Sequence, residues 1–236
     1  MTLAAPSAPD RAAPLIVFEG IDGSGKGTQA AALHAHLNQA GVSTGLLSFP
    51  QYQSTFFGQR IGEFLNGEFG SLEQLDPFLI SLLYAGDRFE SRNHLQQIRS
   101  QHAAVVLDRY VASNIAHQSA KRTEPARQTL QQWIEHIEYE LYKLPRPDLV
   151  ILLDIPVELS QQFIRLKQQR SYTERVTDLQ EADVSYLAHV RDVYLHLAQT
   201  QPDWKVVSVS AQSFPRPIAD IQAEIRMLVS EKFPHL

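Results

Sequence analysis

The residues that point most directly to chemistry lie between Leu15 and Thr28 and read LIVFEGIDGSGKGT. A nearly continuous apolar run predicts a buried strand, and a glycine-rich turn and a helical periodicity follow it. This is the pattern G-x-x-x-x-G-K between a strand and a helix. The glycines let successive backbone N–H groups point at one place, where the helix N-terminus and Lys26 add positive charge. The stretch predicts a cradle for a polyphosphate.

An ordinary turn is the alternative for any match to this pattern. The strand before it and the helix after it favour the phosphate site. The candidate nucleotide-binding residues are Gly20, Asp22, Gly23, Ser24, Gly25, Lys26, Gly27 and Thr28.

The composition limits the remaining function classes. The chain has 236 residues, of which 44% are hydrophobic, and a net charge of −5 without a long basic run. This balance predicts one α/β domain and argues against a nucleic-acid groove or an anionic membrane surface. There is no cysteine, so we expect neither disulfides nor a thiolate zinc site. No apolar run reaches the ~20 residues of a membrane helix, which favours a soluble, cytoplasmic protein.

Strands and helices are predicted to alternate along the chain. Residues 1–13 are rich in Ala and Pro and predict a disordered tail, and 14–236 predict a single domain. The alternation predicts a parallel sheet covered by helices on both faces. The predicted strands are 15–19, 44–49, 103–107, 149–153 and 204–209. The predicted helices are 28–40, 56–65, about 76–100, 130–144, about 156–167, one that ends near 199, and about 217–230.

Two aspartates follow predicted strands, where ligands of parallel sheets gather. Asp108 follows the third strand and Asp154 the fourth. A phosphate loop needs a carboxylate for Mg²⁺. We prefer Asp108, because Arg109 beside it could stabilise the charge of a transferring phosphoryl group, whereas Asp154 could help to start a helix. Either aspartate could instead be a simple strand-end cap.

The predicted helix over 76–100 carries an unusual pair. Its apolar stripe, expected to face the core, comprises Leu79, Leu82, Leu83 and Gly86. Tyr84 and Arg88 lie one turn apart on roughly the opposite side. Taken alone, they could be a surface aromatic ring with a cation stacked on it.

The segment from Asp108 to Gln118, DRYVASNIAHQ, resembles the D-R-Y-x-x-S-x-x-A-Y-Q segment of thymidylate (dTMP) kinases. The resemblance runs from about Pro14 to the last strand. It implies a P-loop kinase fold with strand order 2-3-1-4-5, and ATP-dependent phosphorylation of dTMP. Its other landmarks are FEGIDGSGKGTQ at 18–29, Phe49-Pro50, LLYAGDR at 82–88 and RPDLVILLDIPVE at 146–158.

The resemblance also implies roles for matching residues. Lys26 would bridge the β- and γ-phosphates of ATP, Asp108 would serve Mg²⁺, and Arg109 would clamp the acceptor and transferred phosphates. Asp22 would contact the 3′-hydroxyl of the sugar, although it could equally be a turn residue. Tyr84 would stack on thymine, a place usually held by Phe. The implied substrate-binding residues are Asp22, Phe49, Pro50, Tyr84, Arg88, Arg109, Ser113, Asn114, His117 and Gln118.

The basic stretch 165–175 is by default a solvated face, and the resemblance implies a lid at about 168–178. The loop from Ile21 to Ser24 contains no cation, and similar thymidylate kinases place catalytic arginines in a lid that excludes water. The resemblance therefore makes Arg170 and Arg175 the candidate catalytic arginines of the lid. Glu181 is a further candidate for the metal or its water.

The acceptor sets the chemistry. A nucleoside monophosphate is largely dianionic at pH 7 and already a nucleophile, so positioning and charge neutralisation suffice. A nucleoside kinase must activate a hydroxyl and usually has a carboxylate after the second strand, where this chain reads Phe49-Pro50-Gln51.

Two positions depart from the family pattern. Gly27 replaces the usual Ser or Thr that touches Mg²⁺, and Thr28 could contact the α-phosphate instead. His117 replaces the tyrosine that crowds the 2′ position of the sugar, which leaves discrimination against ribonucleotides open.

The rival functions are an adenylate-kinase-like enzyme with AMP as acceptor and a P-loop module that binds nucleotide without turnover. The family also implies a homodimer formed through its helices.

Overall fold

The structure, a computed structural model, describes residues 12–71, 74–166, 183–212 and 214–236. Five parallel strands form its main sheet, in the order β2-β3-β1-β4-β5. The sheet order implied by the family resemblance is thus confirmed. The strands are β1 (Leu15–Glu19), β2 (Thr44–Ser48), β3 (Ala104–Asp108), β4 (Leu149–Asp154) and β5 (Trp204–Ser208), with a small antiparallel pair, β6 (Ser210–Ala211) and β7 (Phe214–Pro215).

Helices cover both faces of this sheet. They are α1 (Lys26–Gln39), α2 (Phe56–Leu65), α3 (Pro77–Glu90), α4 (Arg92–Gln101), α5 (Val111–Ser119), α6 (Ala126–Glu135), α7 (Val157–Leu166), α8 (Val184–Thr200) and α9 (Ile218–Lys232). A π-helical segment, His136–Leu141, follows α6. None of the helices in the described ranges is long and apolar enough to cross a membrane.

The three central strands explain the layering. All five residues of β1 are buried, as are the first four of β3 and the first five of β4. Strands with apolar side chains on both faces are typical of a parallel sheet between helical layers. The edge strands β2 and β5 keep exposed positions. The carboxyl ends of β1, β3 and β4 therefore meet at one edge, where the polar residues after them collect.

The predicted helix over 76–100 is two helices, and its predicted stripe faces the core only in part, since Gly86 is buried and Leu83 packs against a buried cluster. Ser91 ends α3 and begins α4. Leu79 is 61% exposed, whereas Ile80, Ala85 and Arg88 are buried. The helix presents small and polar side chains to the interior because it packs on α2 and α5, and it leaves leucines of the stripe partly outside.

Two other elements differ from the sequence prediction. Helix α5 was not predicted, although it carries much of the segment 108–118. The predicted helix over 130–144 begins earlier, at Ala126, and becomes π-helical at His136. In a π-helix the backbone bond spans five residues, which turns the following side chains to a different face.

Candidate active site

The loop between β1 and α1 has the backbone expected of a phosphate cradle. Gly23 and Gly25 adopt the left-handed region, with φ of 78° and 87°. A Cβ on Gly23 would lie 2.5 Å from the carbonyl oxygen of Ser160. The Ser160 hydroxyl donates to the Asp22 carbonyl at 2.6 Å, so α7 holds the loop from behind. Only glycine satisfies both the backbone angle and this contact.

Lys26 brings a positive charge into the loop. Its side chain is buried, and its Nζ donates to the Ile21 carbonyl at 2.8 Å. Because Lys26 is the first residue of α1, its charge adds to the partial charge at the helix N-terminus. The loop is therefore electropositive and shaped for anionic oxygens.

Asp108 at the end of β3 faces the same loop. Its Oδ1 is buried and has no hydrogen-bond partner among the described residues. A Cβ added to Gly27 would lie 3.0 Å from its Oδ2. Gly27 thus makes room for the Asp108 carboxylate where a serine would otherwise stand. The rival carboxylate, Asp154, is paired with Arg191 at 2.6 and 2.9 Å.

Arg109 links the loop to the segment after β3. It has a φ of 67°, and its guanidinium bonds the Asp22 carboxylate and, at 3.1 Å, the Ser113 hydroxyl. Burial alone would lower the pKa of Arg109, but the negative groups around it, Asp22 foremost, together outweigh burial and raise that pKa above its ordinary value. Arg109 is therefore a fixed cation at the junction of two segments.

Glu19 is a structural residue of this junction that the sequence analysis missed. It accepts hydrogen bonds from Tyr110 N at 2.8 Å, Ser113 N at 3.2 Å, Ser113 Oγ at 2.6 Å and Tyr194 Oη at 2.9 Å. Burial raises the pKa of its carboxyl. Helix α5 has no N-cap side chain of its own, and Glu19 supplies the missing acceptor from the neighbouring strand.

Two cavities open at this edge of the sheet and share a wall. One lies over the phosphate loop; we call it the donor cavity. The other lies between α2, α3 and α5; we call it the acceptor cavity. Ligands in the two would meet end to end at the shared residues. These are Asp22, Phe49, Pro50, Tyr52 and Arg109.

The acceptor cavity has an aromatic side. Tyr84 lines it and packs edge-to-face on Phe64, with ring centroids 6.5 Å apart. Phe49, which precedes a cis peptide bond to Pro50, is buried against Tyr110. Flat rings on this wall suit a flat ligand group.

The far end of the acceptor cavity holds a buried ion pair. Arg88 is 2% exposed and bonds both oxygens of Glu138, which is fully buried. Asn114 donates to the same carboxylate at 2.9 Å. Tyr84 and Arg88 are therefore not a surface stack: one lines the cavity with its ring, and the other with a guanidinium held from behind.

His117 and Gln118 complete the wall. Tyr186 Oη donates to the His117 carbonyl at 2.8 Å and lies 3.1 Å from its Nδ1. Burial, with the Arg109 charge nearby, lowers the pKa of His117 to about 3, so this imidazole is neutral at pH 7. Lys121 donates to Gln118 Oε1 at 3.1 Å, and the buried Gln118 Nε2 has no partner in the described part of the chain.

Comparison with known proteins decides the family. The family model for thymidylate kinase matches residues 18–225. A thymidylate kinase of Mycobacterium tuberculosis (strain H37Rv) is 34% identical over 184 residues, which cover 78% of this chain and 85% of that protein. A probable thymidylate kinase of Thermococcus gammatolerans is 31% identical over 222 residues, covering 92% and 96%. This chain belongs to the thymidylate kinase family.

The fold comparison agrees with that placement. The structure of thymidylate kinase from Candida albicans superposes with a TM-score of 0.72 and 25% identity, over 95% of this chain and 94% of that one. The predicted thymidylate kinase fold is thereby confirmed.

Most of the residues singled out from the family motifs line one or both cavities. Ser113 lines the acceptor cavity and Phe49 and Pro50 line both, whereas Gly20, Ser24 and Asn114 are not among the lining residues. Arg170, Arg175 and Glu181 lie outside the described residues.

Some site residues had no prediction. Asp87 lies within the thymidylate kinase landmark LLYAGDR, and its carboxylate accepts from Gln51 N at 3.1 Å and from the Thr55 hydroxyl. It fixes the segment after β2 that lies between the cavities. Charged residues such as Asp87 and Glu138 are rarely buried without partners, but their partners are distant in sequence, so no local pattern reveals them.

Proposed function

We propose that this protein transfers the γ-phosphoryl group of ATP directly to the 5′-phosphate of dTMP, giving dTDP for dTTP synthesis. The observation that carries the proposal is the shared wall of the donor and acceptor cavities, which would bring two phosphate ends together at Asp22 and Arg109. Family membership supports the same reaction. In-line transfer needs this end-to-end arrangement of donor and acceptor.

In the donor cavity, the polyphosphate of ATP lies along the loop. Its oxygens accept from the N–H groups around Gly23 and Gly25, and Lys26 neutralises the β- and γ-phosphates. Thr28, in the first turn of α1, contacts the α-phosphate. Lys26 stabilises charge that moves towards the leaving group in the transition state.

Mg²⁺ fits the donor cavity through Asp108. Two observations support the fit: Asp108 Oδ1 is buried without a partner among the described residues, and Gly27 leaves space beside Oδ2. Carboxylate oxygen is the ligand that Mg²⁺ prefers, usually with several waters retained. When bound, the metal supplies positive charge to the phosphate oxygens. Within the described ranges no group of three or more His, Cys, Asp or Glu side chains could hold a metal, so water and phosphate would fill the rest of the shell.

In the acceptor cavity, thymine stacks on Tyr84 and its polar edge meets Arg88. Asp22 accepts from the sugar 3′-hydroxyl, and Arg109 holds the 5′-phosphate beside the γ-phosphate. The phosphate dianion is itself the nucleophile, so no general base is needed. Asp87 lies against the segment after β2, but its carboxylate is already bonded to Gln51 and Thr55, which supports a phosphate rather than a hydroxyl acceptor.

The proposal extends to the parts of the chain around the site. Residues 14–236 form one domain, Arg170 and Arg175 complete the catalytic set, and Glu181 is a further contact to the metal or its water. The enzyme is a cytoplasmic homodimer without a nucleic-acid or membrane partner. Exposed apolar side chains support an interface on the helical side. They are Leu79 at 61%, Phe89 at 43% and Leu141 at 61% exposure.

An acceptor panel tests the proposal. ADP release is measured with ATP, Mg²⁺ and each of dTMP, dUMP, AMP, CMP and GMP. We expect dTMP to have the highest kcat/KM. AMP as the best acceptor would instead establish an adenylate-kinase-like activity, and binding of ATP without turnover of any monophosphate would establish a nucleotide-binding module.

A further inference from the structure

Glu138 is the one fully buried carboxylate of the π-helical segment, and neither phosphate chemistry nor the sequence motifs account for it. Glu138 lies in a π-helical turn, whereas the helices before and after it in the described residues are α-helices. π-Helical turns are rare and occur often at functional sites. Leaving Glu138 unpaired would be costly, and its partners show what it does.

The first partner is Arg88. Glu138 Oε1 accepts from Arg88 Nη2 at 2.7 Å, and Oε2 accepts from Arg88 Nε. A guanidinium has five N–H groups, and these bonds use one edge of its plane. The other N–H groups of Arg88 have no partner within the described ranges, and Arg88 lines the acceptor cavity. Glu138 therefore fixes the plane of the guanidinium and leaves an edge made only of donors.

The second partner is Asn114. Its Nδ2 donates to the Ser81 carbonyl at 3.0 Å and to Glu138 Oε1 at 2.9 Å. Both neighbours are acceptors, so the amide can be oriented in one way only. Its Oδ1 is then a buried acceptor that has no partner among the described residues. Because Arg88 and Asn114 bond the same oxygen, this acceptor lies close to the donor edge.

We propose that Glu138 is a positioning residue that selects the nucleobase by fixing Arg88 as a donor and Asn114 as an acceptor. This inference rests on the proposed function. The pair matches the adjacent carbonyl and N–H of thymine, where O4 accepts and N3–H donates. Cytosine presents an amino donor and an unprotonated nitrogen at those two places, so both contacts would be mismatched. A ligand that would leave buried polar groups of the site unpaired is rejected strongly.

Replacement of Glu138 by glutamine shows why the charge matters. A carboxylate offers acceptors on both oxygens, whereas a glutamine side chain at this position would offer one oxygen and one NH₂ group. The NH₂ group would face an N–H of Arg88 or of Asn114. Either the guanidinium shifts or the Asn114 amide turns over, and the match to thymine is lost.

The test compares Glu138→Gln with Glu140→Gln. Glu140 lies two residues on and makes an exposed ion pair with Arg146, so it controls for loss of one negative charge. For Glu138→Gln we expect KM for dTMP to rise at least tenfold and the ratio of kcat/KM for dTMP over dCMP to fall at least tenfold. KM for ATP should stay within twofold, and Glu140→Gln should behave as wild type. An unchanged dTMP-to-dCMP ratio in folded Glu138→Gln would overturn the inference.

A second variant keeps the test decisive if Glu138→Gln does not fold. Asn114→Leu retains the Arg88–Glu138 ion pair and removes only the oriented amide. We expect its dTMP-to-dCMP ratio to fall at least tenfold, and an unchanged ratio would count against the inference. The wild-type panel separates the two levels. If wild type does not prefer dTMP, the proposed function fails as well; if it does and both variants retain the preference, only the role of Glu138 fails.

Discussion

The donor and acceptor cavities are built in opposite ways. Half of the donor-cavity lining is one stretch of chain, from Asp22 to Thr28, and the rest comes from Asp108-Arg109 and from the residues at and after the end of β2. The groups that would bind phosphate there are backbone N–H groups and one lysine. The acceptor cavity takes side chains from α2, α3, α5 and the segment after β2. It is a site of side chains that come from several separate segments of the chain.

The difference lies in what holds each site in place. The donor loop is held by backbone angles that glycine allows and by hydrogen bonds to Asp22 from Ser160 and Arg109. The acceptor residues are held by three buried carboxylates: Glu19 behind Ser113, Asp87 behind the segment after β2, and Glu138 behind Arg88. A common nucleotide needs a general cradle, whereas a particular acceptor needs fixed side chains. We therefore expect variants of the donor cavity to change kcat and variants of the acceptor cavity to change the KM of the acceptor.

The largest effect should come from Lys26→Ala. Removing a cation from the developing phosphate charge should lower kcat by about 10³-fold, with little change in KM for dTMP. ADP release with saturating dTMP measures it, and Lys205→Ala, an exposed lysine of β5, is the control. If the KM for dTMP rose as much as kcat fell, the two cavities would not be separable.

Arg88→Met should produce the complementary effect. A hydrogen bond to a charged group contributes about 1.5–3 kcal/mol, so KM for dTMP should rise about 10- to 100-fold while KM for ATP stays constant. Steady-state kinetics at varied dTMP and at varied ATP separates the two constants. Equal loss of ATP affinity would contradict the assignment of Arg88 to the acceptor.

Gly27→Ala tests the contact between the loop and Asp108. The new methyl group would stand 3.0 Å from Asp108 Oδ2 and push the carboxylate away. We expect a roughly tenfold lower kcat, about 1.4 kcal/mol in the barrier, and a higher Mg²⁺ concentration for half-maximal rate. A Mg²⁺ titration at fixed ATP measures it. Wild-type Mg²⁺ dependence would argue against Asp108 as the metal residue.

The smallest effect concerns His117. Burial and the nearby Arg109 charge lower its folded-state pKa to about 3, whereas an unfolded histidine titrates near 6.5. Below pH 6.5 the unfolded chain binds a proton that the folded one does not, so the free energy of unfolding decreases as the pH is lowered. Between pH 7 and pH 6 wild type should lose about 0.7 kcal/mol more than His117→Gln. Urea unfolding at the two pH values checks this, and equal losses would contradict the burial of a neutral ring.

The same contrast explains what could be predicted from sequence. The cradle was predictable because strand, glycines and lysine are contiguous, and the strand order followed from the family resemblance. Tyr84 and Arg88 were identified through a motif, but helical periodicity wrongly placed them on the side of the helix away from the core. The spacing of leucines determined the predicted core face, whereas α3 buries Arg88 against Glu138, which is 50 residues away in sequence.

The buried carboxylates could not be predicted for a related reason. Glu19 appears in the sequence as the polar end of an apolar strand, and Glu138 as one acidic residue of an amphipathic helix. Their roles depend on groups brought close by folding, such as Tyr194 for Glu19. The π-helical turn that aims Glu138 inward has no local signature that periodicity detects.

The most direct test of two separable cavities is isothermal titration of one protein with each ligand alone. Wild type, Lys26→Ala and Arg88→Met are each titrated with dTMP and with a non-hydrolysable ATP analogue. We expect Lys26→Ala to lose affinity for the analogue and retain dTMP binding within twofold, and Arg88→Met to lose at least tenfold in dTMP affinity and retain the analogue. If either variant weakened both ligands equally, the account of one general and one selective cavity would be wrong.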